Sequence, residues 1–335
     1  MAEPARNSIR RHFAGRLFAT VFIAAIAASI GAASAQDYPT RPIRLLHGFA
    51  AGGAADTLSR ILANGLSKRL SQPIVIEAKP GSGGNLAAAQ IARAEPDGYT
   101  IGLVTGAHAI SPALYKSLPY DSVDSFEMIS TAVYYALVIA VRSDFEAKSL
   151  GELIALAKAK PGDLSFASVG FGSTHHLAGE LLETTAGIKM VHVPYRGDAL
   201  TVTALLGGEI PVIVGTPVLL AQQIEGGTIR GLAITSPARS RLLPNVPTVD
   251  EAGLKGFDVR TWAGLLAPKG TPLAIVARLN KAVLETITDP ETKAALETAI
   301  GGEVQGSTPA EMRSLIRSQS AKWADVIKAA NIPRL

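Results

Sequence analysis

Residues 43–70 read Ile43-Arg44-Leu45-Leu46-His47-Gly48-Phe49-Ala50-Ala51-Gly52-Gly53-Ala54-Ala55-Asp56-Thr57-Leu58-Ser59-Arg60-Ile61-Leu62-Ala63-Asn64-Gly65-Leu66-Ser67-Lys68-Arg69-Leu70. Ile43 to Leu46 is a short apolar run of strand type. Ala50 to Ala55 is a loop of small residues. From Asp56 to Leu70, the residues Leu58, Ile61, Leu62, Leu66 and Leu70 recur at helical spacing and mark one face of a helix. Strand, small-residue loop and helix form half of a βαβ unit, so the chain begins as an α/β protein with parallel pairing.

The same rhythm runs outward from this segment. Pro73 opens a strand at Ile74–Ile76, Pro80 to Gly84 is a turn, and Asn85 stands as a cap for a helix over 86–94. Asp97-Gly98 turns the chain into a strand at Thr100–Thr105. Further strands are expected at 133–141, 164–168, 190–193, 210–214 and 231–235. Helices are expected at 150–159 behind Ser149, at 174–185, at 271–288 and at 309–330, the last holding Met312, Leu315, Ile316 and Trp323. A chain of 335 residues exceeds what one hydrophobic core usually serves. Two lobes are therefore expected, and the lack of a long linker means that the chain crosses between them more than once. The expected division is 36–139 with 235–335 as one lobe and 140–234 as the other.

The N-terminus reads as a targeting segment. Arg6, Arg10, Arg11 and Arg16 precede an apolar run from Leu17 to Ile30, and Ala33-Ser34-Ala35 fits a cleavage site. The run falls short of the roughly 18–20 apolar residues that cross a bilayer. Residues 1–35 are thus expected to be a removed signal peptide. Arg10-Arg11-His12-Phe13 is similar to a twin-arginine signal, but Ile9 stands where that signal has Ser or Thr, so ordinary secretion is expected. Of 32 Lys+Arg and 28 Asp+Glu, residues 1–35 hold four Arg and one acid, which leaves 28 basic against 27 acidic side chains. A nearly neutral remainder gives no reason for a nucleic-acid or membrane-surface partner. With no cysteine, disulfides, thiolate metal sites, Cys nucleophiles and a lipidated N-terminal Cys are excluded.

In open α/β sheets, ligands settle where strands end and helices begin. Three segments have that position: Phe49-Ala50-Ala51-Gly52-Gly53-Ala54-Ala55-Asp56, Thr105-Gly106-Ala107-His108, and Gly170-Phe171-Gly172-Ser173-Thr174-His175-His176. A helix start favours an anion through free N–H groups and partial positive charge. Any one glycine loop serves equally as a plain turn; three after three strands point to a site. The candidates are Phe49, Ala50, Gly52, Gly53, Ala54, Asp56, Thr105, Ala107, His108, Gly170, Gly172, Ser173 and Thr174, with Tyr195, Asp198, Thr216 and Trp262 as floor residues from elsewhere in the chain. Asp56 serves either its own helix start or a ligand amine. Phosphate motifs fail: Gly81-Ser82-Gly83-Gly84-Asn85-Leu86 lacks the last glycine of GxGxxG, and neither GxxxxGK[ST] nor GxSxG occurs. His175 and His176 point about 100° apart on a helix and do not chelate one ion. No metal and no cofactor are expected. His47 and His108 are either near the cleft or on the surface.

Several blocks resemble the Bug family of tripartite tricarboxylate transporter receptors. They are Tyr38-Pro39-Thr40-Arg41-Pro42-Ile43, Phe49 to Asp56, Lys79 to Asn85, Pro96-Asp97-Gly98-Tyr99-Thr100, Gly172 to Glu180, Val191 to Gly197, Leu242 to Gly253 and Ala267 to Pro272. The resemblance implies a type II periplasmic binding protein fold with hinge strands between two lobes. It also implies a monomeric Gram-negative receptor that passes a mono-, di- or tricarboxylate, an amino acid or a nicotinate-like acid to transporter membrane subunits. In the family, the loops matching Phe49–Asp56 and Thr105–His108 grip one carboxylate, partly through waters, and the helix start matching Gly172–Thr174 faces it. This chain departs from the pattern at His47-Gly48, where the family has an apolar residue and Pro. It departs again at Gly215-Thr216, where an Asp is common; loss of that acid points to a more acidic ligand. The competing readings are a receptor that signals to a sensor kinase, and a secreted hydrolase or lyase built on His175 or His176 with Ser173. The last lacks both an acid at triad geometry and a strained nucleophile turn, so no enzyme is expected.

Overall fold

The structure, a computed structural model, describes residues 38–329 and 331–335. The export signal expected over residues 1–35 lies outside them. Two mixed sheets organise the chain. The first has the order β11-β4-β10-β3-β1-β2, built from β1 (Ile43–His47), β2 (Ile74–Ala78), β3 (Thr100–Thr105), β4 (Phe126–Ala136), β10 (Arg260–Pro268) and β11 (Glu303–Val304). The second has the order β7-β6-β8-β5-β9, from β5 (Val138–Arg142), β6 (Ser165–Ser168), β7 (Val191–Pro194), β8 (Val212–Gly215) and β9 (Ile229–Ile234). Strand β1 runs parallel to β2 and β3, and β6 parallel to β7 and β8. The strands that return from the other sheet, β10 and β5, pair antiparallel.

The apolar run 133–141 reads as one strand, but the structure divides it between β4 and β5, one in each sheet, with Leu137 at the break. Both halves are buried, so the sequence shows no polar residue where the chain changes sheet. The return crossing lies beside it. Leu137 N–H donates to Thr235 Oγ1 at 2.9 Å, Thr235 N–H donates to the Leu137 carbonyl at 3.0 Å, and Thr235 Oγ1 donates to the Val259 carbonyl at 2.7 Å. The two crossings are thereby stitched into one narrow band.

Each sheet carries its own core. Phe126, Met128, Trp262, Leu266, Met312 and Ile316 pack together on the first, and Val138, Leu205, Ile213, Leu220 and Ile234 on the second. Trp262, a floor candidate, is thus a core residue of the first sheet. Helices α1 (Ala54–Leu70), α2 (Asn85–Ala92), α3 (Ala107–Leu114), α4 (Leu150–Ala159), α5 (Thr174–Ala186), α6 (Asp198–Leu206) and α7 (Pro217–Glu225) follow in chain order. Helices α8 (Leu273–Thr288), α9 (Pro290–Ile300) and α10 (Pro309–Ala329) complete the set. Helices α1, α3, α5 and α6 each begin within a few residues of the end of a strand, and these starts define the cleft.

Candidate functional site

The start of α1 has donors and no partners for them. Its cap residue, Gly53, is extended (φ −89°, ψ 178°) and has no side chain to cap with. The first N–H to bond back is that of Thr57, to the Gly53 carbonyl at 3.0 Å. The N–H groups of Ala54, Ala55 and Asp56 therefore find no acceptor among the described residues, as the first turn of a helix requires in the absence of a cap. Ala54 and Ala55 wall a buried cavity of about 20 Å³ with Phe49, Thr105, Tyr135, Val169, Ser173, Thr174, His175, Asp198 and Thr261. That space admits one or two waters at a helix N-terminus. No Lys or Arg lines it.

Asp56 faces away from this cavity and ties its loop. It accepts from Gly52 N–H at 3.1 Å and from Arg60 Nε at 3.0 Å, with His47 Nε2 at 3.4 Å. Burial opposes its ionisation, but the Gly52 N–H and Arg60 outweigh this and hold the carboxyl below its ordinary range. His47 is completely buried; burial lowers its pKa, which Asp56 only partly offsets. The departure at His47-Gly48 has a local reason. A Cβ on Gly48 would stand 2.2 Å from Gly84 Cα, so the loop before α2 closes on bare backbone.

The second loop places Thr105 in the cavity wall, with Ala107 and His108 buried behind it. His108 Nε2 lies 2.8 Å from the Ser122 carbonyl, to which only an N–H can bond, so Nε2 carries the proton. Burial pushes its pKa down to about 4, the Ser122 hydrogen bond opposing. His108 is therefore a neutral ring packed against Tyr120 and Phe126, and it supplies no cation to the pocket.

The third loop separates its two histidines. Ser173 Oγ caps α5 by accepting from His176 N–H at 3.2 Å, and donates to the Gly170 carbonyl at 2.7 Å. His176 Nδ1 accepts from Gly172 N–H at 3.3 Å and stacks on His192 at 4.0 Å between ring centroids. His176 thus scaffolds the glycine loop, and no cluster of three or more metal-ligating side chains occurs among the described residues. His175 turns the other way, into the cavity, with Nε2 3.3 Å from Asp198 Oδ1 but off the hydrogen-bond axis. Thr216 Oγ1 donates to the same Oδ1 at 3.4 Å. Burial, and then the Asp198 charge, raise the pKa of the Tyr135 hydroxyl. Asp198 thus places an acid beside Thr216, next to the position where the sequence lacks one.

Of the sequence candidates, Phe49, Ala54, Thr105, Ser173, Thr174 and Asp198 share the cavity, with Thr216 behind Asp198. Gly53 faces Asp198 across the cleft, and Ala50 N–H donates to the Arg196 carbonyl at 3.1 Å, joining the two lobes. Gly52, Asp56 and Gly172 hold loops. Gly170 and Tyr195 line an outer groove of about 570 Å³ instead, together with Phe171 and Arg196. Sequence reasoning missed Ala55, Tyr135, Val169 and Thr261, and it took His175 only as a metal or enzyme candidate. Tyr135 and Thr261 lie inside paired strands, where no loop signal marks them.

Two sheets joined by a double crossing, around a buried cavity fringed by helix starts, define a two-lobed solute-binding protein. The chain belongs to the tripartite tricarboxylate transporter receptor family, whose family model matches residues 58–332. BugT of Bordetella pertussis is 34% identical over 93% of this chain and 97% of its own. A solved R. palustris protein with adipate is 32% identical, with a TM-score of 0.85 over 89% of this chain and 100% of its own. MatC from Rhodopseudomonas palustris with bound malate is 31% identical, with a TM-score of 0.82 over 87% and 100%. The protein is a Bug-type binding receptor and not an enzyme.

Proposed function

We propose that the chain is exported by removal of residues 1–35, captures a small carboxylate in the periplasm as a monomer, and delivers it to the membrane subunits of a tripartite-type transporter. The observation that carries the carboxylate is the open start of α1, whose three free N–H groups adjoin a buried cavity without Lys or Arg. A charge-assisted hydrogen bond is worth about 1.5–3 kcal/mol, and a micromolar ligand needs about 8 kcal/mol. Four or five such bonds reach that figure after ordering costs. The hydroxyls of Thr105, Ser173 and Thr174 add to the N–H donors. Residues 36–139 with 235–335 act as one lobe and 140–234 as the other, turning about Leu137 and Thr235. The adipate and malate in similar proteins support the ligand class.

A thermal-shift panel of mono-, di- and tricarboxylates, amino acids and aromatic acids tests this. At one hundred times its Kd, a true ligand stabilises the protein by about 2.7 kcal/mol. No shift with any acid refutes the carboxylate reading.

A further inference from the structure

We propose that Asp198 makes this pocket selective for acids carrying an ammonium group beside the carboxylate, so that the ligand is an amino-acid zwitterion and not a simple di- or tricarboxylate. The inference rests on the carboxylate reading of the α1 start and asks what stands opposite it.

Asp198 is 6% exposed and lines the cavity. It is the first residue of α6, after the cap residue Gly197, and no hydrogen bond ties its carboxylate to the N–H groups of that helix start. The carboxylate of Asp198 is turned into the cleft instead. Oδ1 receives Thr216, with His175 nearby and off axis; Oδ2 makes no hydrogen bond to the described residues and keeps an edge open to the cleft. A largely buried carboxylate with an open lone pair favours a cation that pairs with it.

Oδ2 faces the carboxylate loop. It would lie 3.6 Å from a Cβ built on Gly53, the cap residue of α1. A carboxylate seated on the N–H groups of Ala54 and Ala55 therefore leaves its α-substituent next to Asp198. An anionic substituent there meets like charge, and a methylene leaves Oδ2 unpaired. An ammonium group neutralises Asp198 and turns spare N–H bonds towards the Tyr135 and Thr105 hydroxyls, which share the cavity. His175 stands beside Asp198, but its placement does not fill Oδ2.

Isothermal titration with L-alanine against propanoate, L-aspartate against succinate, and L-phenylalanine against 3-phenylpropanoate tests the inference. The chain as purified should bind the amine-bearing member of any bound pair about tenfold to a hundredfold more tightly, the range of one charge-assisted bond. Asp198→Asn, which keeps size and an acceptor for Thr216, should erase that preference and bring the two members of each pair to equal affinity. Asp198→Ser repeats the test should the amide misfold. Equal or better binding of the amine-free acids, or a preference that survives both substitutions, overturns the inference and leaves the receptor reading standing. Binding of no acid in this or the wider panel overturns that reading itself.

Discussion

Replacing Ala54 by proline removes one donor from the start of α1 and spares the helix. Proline is favoured at the first helical position, where its missing N–H has no intrahelical partner in any case. The residue before a proline must be extended, and Gly53 already is, at φ −89° and ψ 178°. Since the Ala54 N–H bonds nothing among the described residues, no hydrogen bond to them is lost. Folding stability should stay within about 1 kcal/mol, with a gain of roughly 0.4–1 kcal/mol expected from the stiffer unfolded chain.

Ligand affinity should respond quite differently. One charge-assisted hydrogen bond is worth about 1.5–3 kcal/mol, so Kd should rise about tenfold to 150-fold. The ring Cδ takes the place of the amide hydrogen, so a water cannot substitute for the lost donor. Thermal melts of the free protein, with titration calorimetry of the tightest-binding acid from the panel, separate the two effects. An unchanged Kd at an unchanged Tm refutes the backbone grip. A collapse in Tm refutes the geometry assigned to the helix start.

The remaining predictions concern pH. His108, held at about 4, and His192, held at about 3 by burial and then by His176, stay neutral where the unfolded chain takes up protons near 6.5. The unfolded state then binds more protons, so their contribution is complete above pH 6.5 and falls as the pH drops towards 4, by up to about 1.4 kcal/mol per pH unit for each ring. His108→Gln, whose amide can still donate to Ser122, should flatten that fall in melts from pH 7.5 to 4.5; an unaltered slope removes His108 from the account. Glu183 has the opposite sign. Burial, opposed by the Met190 N–H, pushes it from 4.5 up to about 7, so its contribution is lost as pH rises through that window. Glu183→Gln should stabilise the protein at pH 8, by about 1 kcal/mol once solvent screening of this half-exposed group is allowed for, and leave it unchanged at pH 4.5; equal melts at pH 8 would disprove the assignment.

Local patterns were enough for most of the fold. The strand at 100–105 and the helix at 150–159 appear with the bounds read from the sequence, because a Gly turn or a Ser cap and a Pro-Gly stop flank them. The central strand β10 escaped notice because Trp262-Ala263-Gly264-Leu265-Leu266-Ala267 has no β-branched residue and no alternation, both its faces being buried. Helix α3 escaped because Pro112 lies inside it. The pocket's far wall was harder still. Tyr135, Thr261 and Val169 reach the cavity only through pairing between distant strands and the approach of the second sheet's loops, and neither leaves a local signature.

The glycine loops, finally, lie where they do for a mixed physical reason. A bare backbone lets N–H groups approach an anion, and at Gly53 that account suffices, since a Cβ there would meet Asp198 and the Ala50 carbonyl only at ordinary contact distance, 3.6 Å or more. Elsewhere the missing side chain serves contact between lobes. A Cβ on Gly106 would stand 2.9 Å from Thr174 Oγ1, and one on Gly197 3.2 Å from the Ala50 Cβ. Those glycines mark where the two lobes pass close to each other. In the proposed receptor, glycine spacing marks the helix starts that would hold the ligand, and the polar side chains beside them, Asp198 first among them, would choose it.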